Sequence, residues 1–227
     1  MEKIKIVSMS DSHGKHQEVI VPECDILLHS GDVSMFGKES QTVDFFQWFD
    51  AQKATHKVLV GGNHDLIFEK HPFVLKALLK THPSISYLED SGVTIKGLTI
   101  WGSPVQPWFY DWAFNRREEE IKKHWNMIPE ETDILVLHSP PYGILDQNLS
   151  GMHCGCPSLK ARIKITQPKV VVFGHIHEGY GVETTKWETG KSTLFLNSSV
   201  VDRSRTVTNK PIVFEIELGE TPKVKIL

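Results

Sequence analysis

Short apolar runs recur along the chain, and most end in a polar or glycine-containing turn. The first is Ile4 to Ser8. Cys24 to His29, His56 to Val60, Asp133 to Leu137 and Lys169 to Phe173 follow. Runs of this length bounded by turn residues predict buried strands. Between the early runs the spacing changes. Residues 38 to 52 place Val43, Phe46 and Phe49 three apart among charged neighbours. Leu66 to Lys80 repeats Phe68, Phe73, Val74, Leu75, Leu78 and Leu79 at helical intervals, with Pro72 in a first turn. The first half thus has a β-α-β-α-β rhythm. It predicts an α/β arrangement with functional loops at the C-terminal ends of the strands.

The middle of the chain breaks that rhythm. Ile85 to Leu88, Val93 to Lys96 and Leu98 to Trp101 are short strand-like runs, and the last two predict a hairpin. In the stretch that follows, Pro104 and Pro107 forbid a regular element, yet Trp108, Phe109, Tyr110 and Trp112 crowd together. Such a cluster is either an exposed binding surface or a plug between sheet and helix. Asn115 to Trp125 and Ser158 to Ile165 predict helices. Gly181 to Trp187, Thr193 to Asn197 and Ile212 to Leu218 predict an antiparallel second sheet. Tyr142 to Pro157 has little periodicity, and loops of that length inside a compact domain tend to be functional. With no repeat, low-complexity segment or linker, residues 1–227 are expected to form a single domain.

The chemistry gathers at the strand exits. Asp11 and His13 are two apart, so an extended segment points both the same way. The later exits are Gly31-Asp32, Gly61-Gly62-Asn63-His64-Asp65, His138 and Gly174-His175-x-His177. An ordinary polar turn is a respectable reading of most of them alone, although His175-x-His177, two imidazoles two apart at a strand end, is already a strong metal-chelate pattern. Together they supply two carboxylates, an amide oxygen and four imidazoles, with His64 to spare. That mixture suits two borderline divalent transition metals better than Ca²⁺ or Mg²⁺ alone. Cys154-x-Cys156 beside His153 has no distant cysteine partner for a zinc site, so free thiols in a packed loop are expected.

The bulk numbers narrow the function classes. A net charge of -3 over 227 residues gives no electrostatic case for a nucleic-acid polymer as partner. No apolar run approaches the roughly 20 residues that span a bilayer, and the start lacks a signal-peptide core. Three cysteines make a disulfide framework improbable. A cytoplasmic protein without membrane contact is expected.

In order and spacing, these motifs resemble the calcineurin-like metallophosphoesterases. Trp101-Gly102-Ser103-Pro104, Trp112-Ala113-Phe114-Asn115, His138-Ser139-Pro140-Pro141, Gly155-Cys156 and Phe173 to Glu178 are similar to the small metallophosphoesterase-domain subgroup. The resemblance implies a four-layer sandwich of two mixed β-sheets flanked by α-helices. It implies that Asp11, His13 and His177 hold one metal, that Asn63, His138 and His175 hold a second, and that Asp32 bridges both. Protein phosphatases of the family follow Gly-Asp with a further Asp and an Arg. Here Val33-Ser34-Met35-Phe36 stands instead, which favours a small phosphoester.

The expected activity is dinuclear-metal-dependent phosphoester hydrolysis. A metal-activated hydroxide would attack phosphorus, with His64 stabilising charge and protonating the leaving oxygen. Asp65 is expected as a catalytic-site residue that fixes a ring or a ligand, or as a cap of the following helix. The expected substrate is a phosphodiester such as a nucleotide. The alternatives are a phosphomonoester, or a nucleotide-binding scaffold with low turnover. His64, Trp112, His153 and Asn197 are the expected substrate contacts, with a backbone role preferred for Asn197. Manganese is the favoured metal, and iron or zinc also suits the ligands. The oligomeric state is left open, a homodimer included.

Overall fold

The computed structural model describes residues 2–219 and 223–227. Its first half contains β1 (Lys3–Met9), β2 (Cys24–His29), α1 (Glu39–Asp50), β3 (Ala54–Leu59), α2 (Leu66–Lys70), α3 (Pro72–Thr81) and β4 (Ile85–Tyr87). The middle adds β5 (Ser91–Ile95), β6 (Leu98–Ser103), β7 (Gln106–Pro107), β8 (Asn115–Arg116), α4 (Glu118–Asn126) and β9 (Ile134–Leu137). α5 (Pro157–Thr166), β10 (Val170–Phe173), β11 (Gly181–Lys186), β12 (Ser192–Asn197), β13 (Ile212–Glu217) and β14 (Lys223–Ile226) complete it.

Two six-stranded sheets run in the orders β14-β13-β1-β2-β3-β4 and β11-β12-β10-β9-β6-β5, and β7 and β8 make a small ribbon. In the first sheet β1 to β4 are parallel, β13 pairs antiparallel with β1, and β14 pairs antiparallel with β13. In the second, β6, β9, β10 and β12 are parallel, with β5 and β11 as antiparallel edges. Both sheets are therefore mixed.

Period-two patterning explains the layers. On one face of the first sheet Ile4, Ile6, Ile26, Leu28, Val58 and Val60 meet Ile100, Ile134, Val136, Val170 and Val172 of the second. On its other face Val7, Met9, Leu27 and Leu59 pack on Phe45, Phe46 and Phe49 of α1 and on Leu75 and Leu78 of α3. Leu135, Leu137, Val171 and Phe173 look outward onto Ile121 and Trp125 of α4 and Leu159 and Ile163 of α5. A strand with both faces covered reads as a continuous apolar run because each residue fills one of two cores. Each fully buried branched side chain contributes roughly 1.5–3 kcal/mol. The four-layer sandwich of two mixed sheets flanked by helices is thus in place. Among the described residues, no helix is long and apolar enough to cross a membrane.

Three local expectations are corrected. The C-terminal strands do not form a separate antiparallel sheet: β11 and β12 extend one sheet, while β13 and β14 extend the other. The helix expected over Leu66 to Lys80 splits at His71, whose backbone leaves the helical region before Pro72. Asn115 belongs to β8 rather than to the charged helix, which starts at Glu118.

Candidate metal-binding centre

The five exits lie at the C-terminal ends of β1, β2 and β3 in one sheet and of β9 and β10 in the other. The expectation of a single sheet edge is therefore corrected to two facing edges. The edges are tied together. Ser10 bridges Ser199, and the His175 N–H donates to the Asp11 carboxylate at 3.1 Å. The loops after β1 and β2 also zip together. Asp11, His13 and Gly14 donate their N–H groups to the carbonyls of Gly31, Asp32 and Val33, each at 2.9 Å. This hold imposes unusual backbone. Asp11, His13, Asp32 and His175 have φ of 55°, 45°, 57° and 67°. L residues seldom occupy that left-handed region, and it concentrates where packing over-determines the chain. Two glycines make room. A Cβ at Gly174 would overlap the Asp11 carboxylate and the Ser10 hydroxyl, and one at Gly62 would overlap Asp32.

Seven donor groups converge. His13 Nε2 and His177 Nε2 face each other at 3.3 Å, and His177 Nε2 lies 3.4 Å from Asp11 Oδ1. On the other side Asn63 Oδ1 lies 2.8 Å from His138 Nε2 and 2.9 Å from His175 Nδ1. Asp32 Oδ2 sits between, 3.7 Å from His13 Nε2 and 3.5 Å from His138 Nε2. Two imidazoles are aimed from behind. His138 Nδ1–H donates to the Ser30 carbonyl at 2.9 Å, and His177 Nδ1–H donates to the Asp202 carbonyl at 3.1 Å. Each arrangement leaves the Nε2 lone pair pointing inward, as a metal-ligating histidine requires. The groups Asp11-His13-His177 and Asp11-Asp32-His138 each bring their ligand atoms within 4.8 Å of one another. Carboxylate, amide and imidazole donors so arranged fit divalent metal ions.

The electrostatics point the same way. Burial would raise Asp11 and Asp32, yet His177 holds Asp11, and His138 holds Asp32, below the usual carboxylate range. Burial pushes His13 down to about 4 and His175 down to about 3. Burial opposes charge on His138 as well, but the Asp32 carboxylate beside it raises the imidazole to about 9. A value above the ordinary 6.5 stabilises the metal-free fold below pH 6.5, and that contribution is lost as pH climbs through 9. Metal-free protein is therefore expected to melt at lower temperature at pH 9 than at pH 6.5. Divalent-ion affinity is expected to rise across the same window, because the competing proton leaves. Thermal melts of stripped protein and Mn²⁺ titrations at both pH values check these opposite slopes, and slopes of the same sign contradict them.

The remaining expected residues divide. His64 is buried at the rim. Its backbone N–H donates to Asp32 Oδ1 at 2.8 Å, and its Nδ1–H donates to the Met35 carbonyl at 2.5 Å. Its ring lies 4.7 Å from that of His13, edge to face, and Trp112 covers it at 4.1 Å. Asp65 neither fixes a ring nor caps α2 with its side chain. Its carboxylate accepts the Val33, Ser34 and Gly62 N–H groups at 3.2, 3.1 and 2.9 Å and the Ser34 hydroxyl at 3.2 Å. It staples the loop after β2 to the loop after β3, which corrects a catalytic role to a positioning one. Burial and the Asp32 charge push it up to about 7, against those donors.

Asn197 is corrected as a substrate contact. It is buried, and its amide donates to the Leu145 and Ile176 carbonyls while its oxygen accepts the Ser199 N–H. His153 is exposed in the long loop and is held by the buried Asp146 carboxylate at 2.6 Å. Among the described residues, no hydrogen bond or ring contact joins it to the seven donors. Two residues of the site were missed. Phe36 stacks with Trp112 at 6.3 Å and 16° and reaches His64 at 6.1 Å. Asn115 shapes the aromatic loop: its amide donates to the Tyr110 and Trp112 carbonyls at 3.0 Å, and its oxygen accepts the Phe109 N–H. An asparagine just after a proline-broken aromatic run was the available signal for it.

The chain is similar to proteins already known. A family model described as calcineurin-like phosphoesterase matches residues 4–179, a span that contains all seven donors. Metallophosphoesterase domain-containing protein 1 of Homo sapiens is 35% identical over 235 residues, covering 93% of this chain and 71% of that protein. A UPF0046 protein of Caenorhabditis elegans is 31% identical over 224 residues, covering 94% and 75%. Among solved structures, TT1561 of Thermus thermophilus matches with a TM-score of 0.61 at 14% identity, covering 91% of this chain and 98% of that one. GAP50, the anchor in the inner membrane complex of Plasmodium, matches at 0.54 with 11% identity, covering 99% and 84%. At such identities the structural likeness is one of fold.

Proposed function

From the premise that the chain belongs to the calcineurin-like phosphoesterase family of metal-dependent phosphoester hydrolases, we propose that it cleaves a small phosphodiester carrying a planar organic group, such as a nucleotide. The observation that carries this reading is the aromatic stretch at the mouth of the nest. Trp112 covers His64, and the edge of Phe109 approaches His175 at 6.4 Å. Beside them lies a shallow, open depression lined by Leu66, Phe109, Tyr110, Asp111 and Trp112. A phosphoryl group at the donors leaves its organic substituent against these rings, where stacking of a base contributes roughly 1–3 kcal/mol.

In this reading Asp11, His13 and His177 hold one divalent ion, and Asn63, His138 and His175 hold a second. Asp32 reaches both sets. The pair supplies an activated water and neutralises phosphoryl oxygens. The chain supplies the rest. With Nδ1–H committed to the Met35 carbonyl, His64 keeps Nε2 to carry a proton to the leaving oxygen. Asp65 and the Gly174 backbone hold the loops in register, and Trp112 shields His64 from solvent. Manganese is the ion we favour, and iron or zinc also suits a set of oxygen and imidazole donors with no thiolate. The three free cysteines suit a reducing compartment, so we place the enzyme in the cytoplasm, acting on a small phosphoester rather than on a nucleic-acid polymer or a membrane.

Metal-stripped protein restored with Mn²⁺ is expected to hydrolyse bis-p-nitrophenyl phosphate faster than p-nitrophenyl phosphate. Cleavage of the monoester alone overturns the diester reading in favour of a phosphatase. Two bound metals with no cleavage of either favour a scaffold with low turnover.

A further inference from the structure

Beneath the nest lies a second buried imidazole with no place among the ligands. His29 ends β2, and its ring packs against Phe45 at 4.9 Å and Phe49 at 6.0 Å. The Gly31 N–H donates to His29 Nδ1 at 3.2 Å. A ring nitrogen that accepts carries no proton, so the neutral ring bears its hydrogen on Nε2. Nε2 faces the Ser12 hydroxyl at 3.3 Å, and that hydroxyl donates to the Val33 carbonyl at 3.5 Å. Every donor in this line meets an acceptor. The line starts and ends on the loop after β2 and passes through the loop after β1. Those two loops carry Asp11, His13 and Asp32, all three in left-handed backbone.

We propose that His29 is a positioning residue for the metal centre, its neutral ring setting the spacing of the Asp11-His13 loop against the Asp32 loop through hydrogen bonds at both nitrogens. The inference rests on the seven donors being metal ligands, not on the identity of the substrate. A phenylalanine of similar shape would fill the same space between Phe45 and Phe49. It would also strand the buried Gly31 N–H and take from the Ser12 oxygen the hydrogen bond it accepts from Nε2–H. The zip between the loops fixes their backbones near Gly31, Asp32 and Val33. The imidazole adds a brace between these loops and α1, where its ring packs against Phe45 and Phe49.

The test reads metal affinity directly, by electron paramagnetic resonance of free Mn²⁺ over full-length protein. His29→Asn keeps an acceptor near the position of Nδ1 but cannot reach Ser12. Ser12→Ala removes the other end of the line. Each variant is expected to bind Mn²⁺ roughly 10- to 100-fold more weakly while retaining a cooperative melt. The double variant is expected to be no weaker than the worse single, because both cut one line. Unchanged Mn²⁺ affinity in the single variants, or losses that multiply in the double, overturns the proposal. If His29→Asn does not fold, Ser12→Ala decides alone. Wild-type protein that binds no Mn²⁺ overturns both this inference and the metal assignment. Mn²⁺ binding without diester cleavage leaves this inference standing while the phosphodiester reading falls.

Discussion

Asp32→Ala is expected to abolish turnover and to leave the protein unable to hold two metal ions at once. Among the described residues, Asp32 is the carboxylate that comes within 4.0 Å of an imidazole on each side of the nest, His13 at 3.7 Å and His138 at 3.5 Å. Its other oxygen accepts the His64 N–H, so it also sets the rim. No neighbour can take its place. Asp11 is already paired with His177 at 3.4 Å and accepts the His175 N–H, and Asp65 is consumed by the Val33, Ser34 and Gly62 donors. Loss of one ion removes several kcal/mol of phosphoryl charge stabilisation, which corresponds to at least about 1,000-fold in rate. Elemental analysis should fall from two ions per chain to one or none, with diester cleavage below detection. Asp32→Asn keeps the volume and an oxygen that can accept the His64 N–H, and so guards against an artefact of the cavity that alanine leaves. Two bound ions and near-normal turnover in either variant would remove Asp32 from the bridging position.

How much of this centre can be read from the amino-acid order follows from its construction. Asp11, His13, Asp32, Asn63, His138, His175 and His177 each follow an apolar run directly, and parallel strands deliver such residues to one end of the fold. Periodicity located the strands because both their faces are covered. It could not apportion them between sheets, because a run such as Val170 to Phe173 looks the same in either. The exits therefore read as one edge when they are two. Asn197 and Asp65 show a second limit. A polar side chain at a strand end serves a ligand or its own backbone with equal local sense, and only the partners decide. Asn197 faces the Leu145 and Ile176 carbonyls, contacts at sequence separations of 52 and 21 that no local pattern encodes. Phe36 and His29 were hidden for opposite reasons. Phe36 stands in a short polar loop with no periodicity, and His29 passes as the last residue of an apolar run.

His64→Ala is expected to lower kcat by about 100- to 10,000-fold while both ions remain bound, the range that loss of a positioned general acid gives. The competing assignment is concrete. A ring nitrogen of His64 lies within 4.8 Å of ligand atoms of His13 and Asp32, so the histidine is near enough to belong to the coordination set. The ring's surroundings argue for the acid instead. Its Nδ1–H donates to a backbone carbonyl, that of Met35, as in His138 and His177, but Trp112 covers the ring at 4.1 Å and Phe36 lies 6.1 Å away on the rim. The imidazole is thus held with Nε2 available at the edge where an organic group would leave. Metal count separates the two roles, because loss of a ligand releases an ion and loss of an acid does not. The leaving group provides a second, independent cut. A p-nitrophenolate departs with little need of a proton, whereas an alkoxide needs one badly. His64→Ala should therefore slow alkyl or nucleoside diesters more than aryl diesters. An equal loss on both, with metal content intact, would mean that His64 stabilises charge on the phosphoryl group and does not protonate the leaving oxygen.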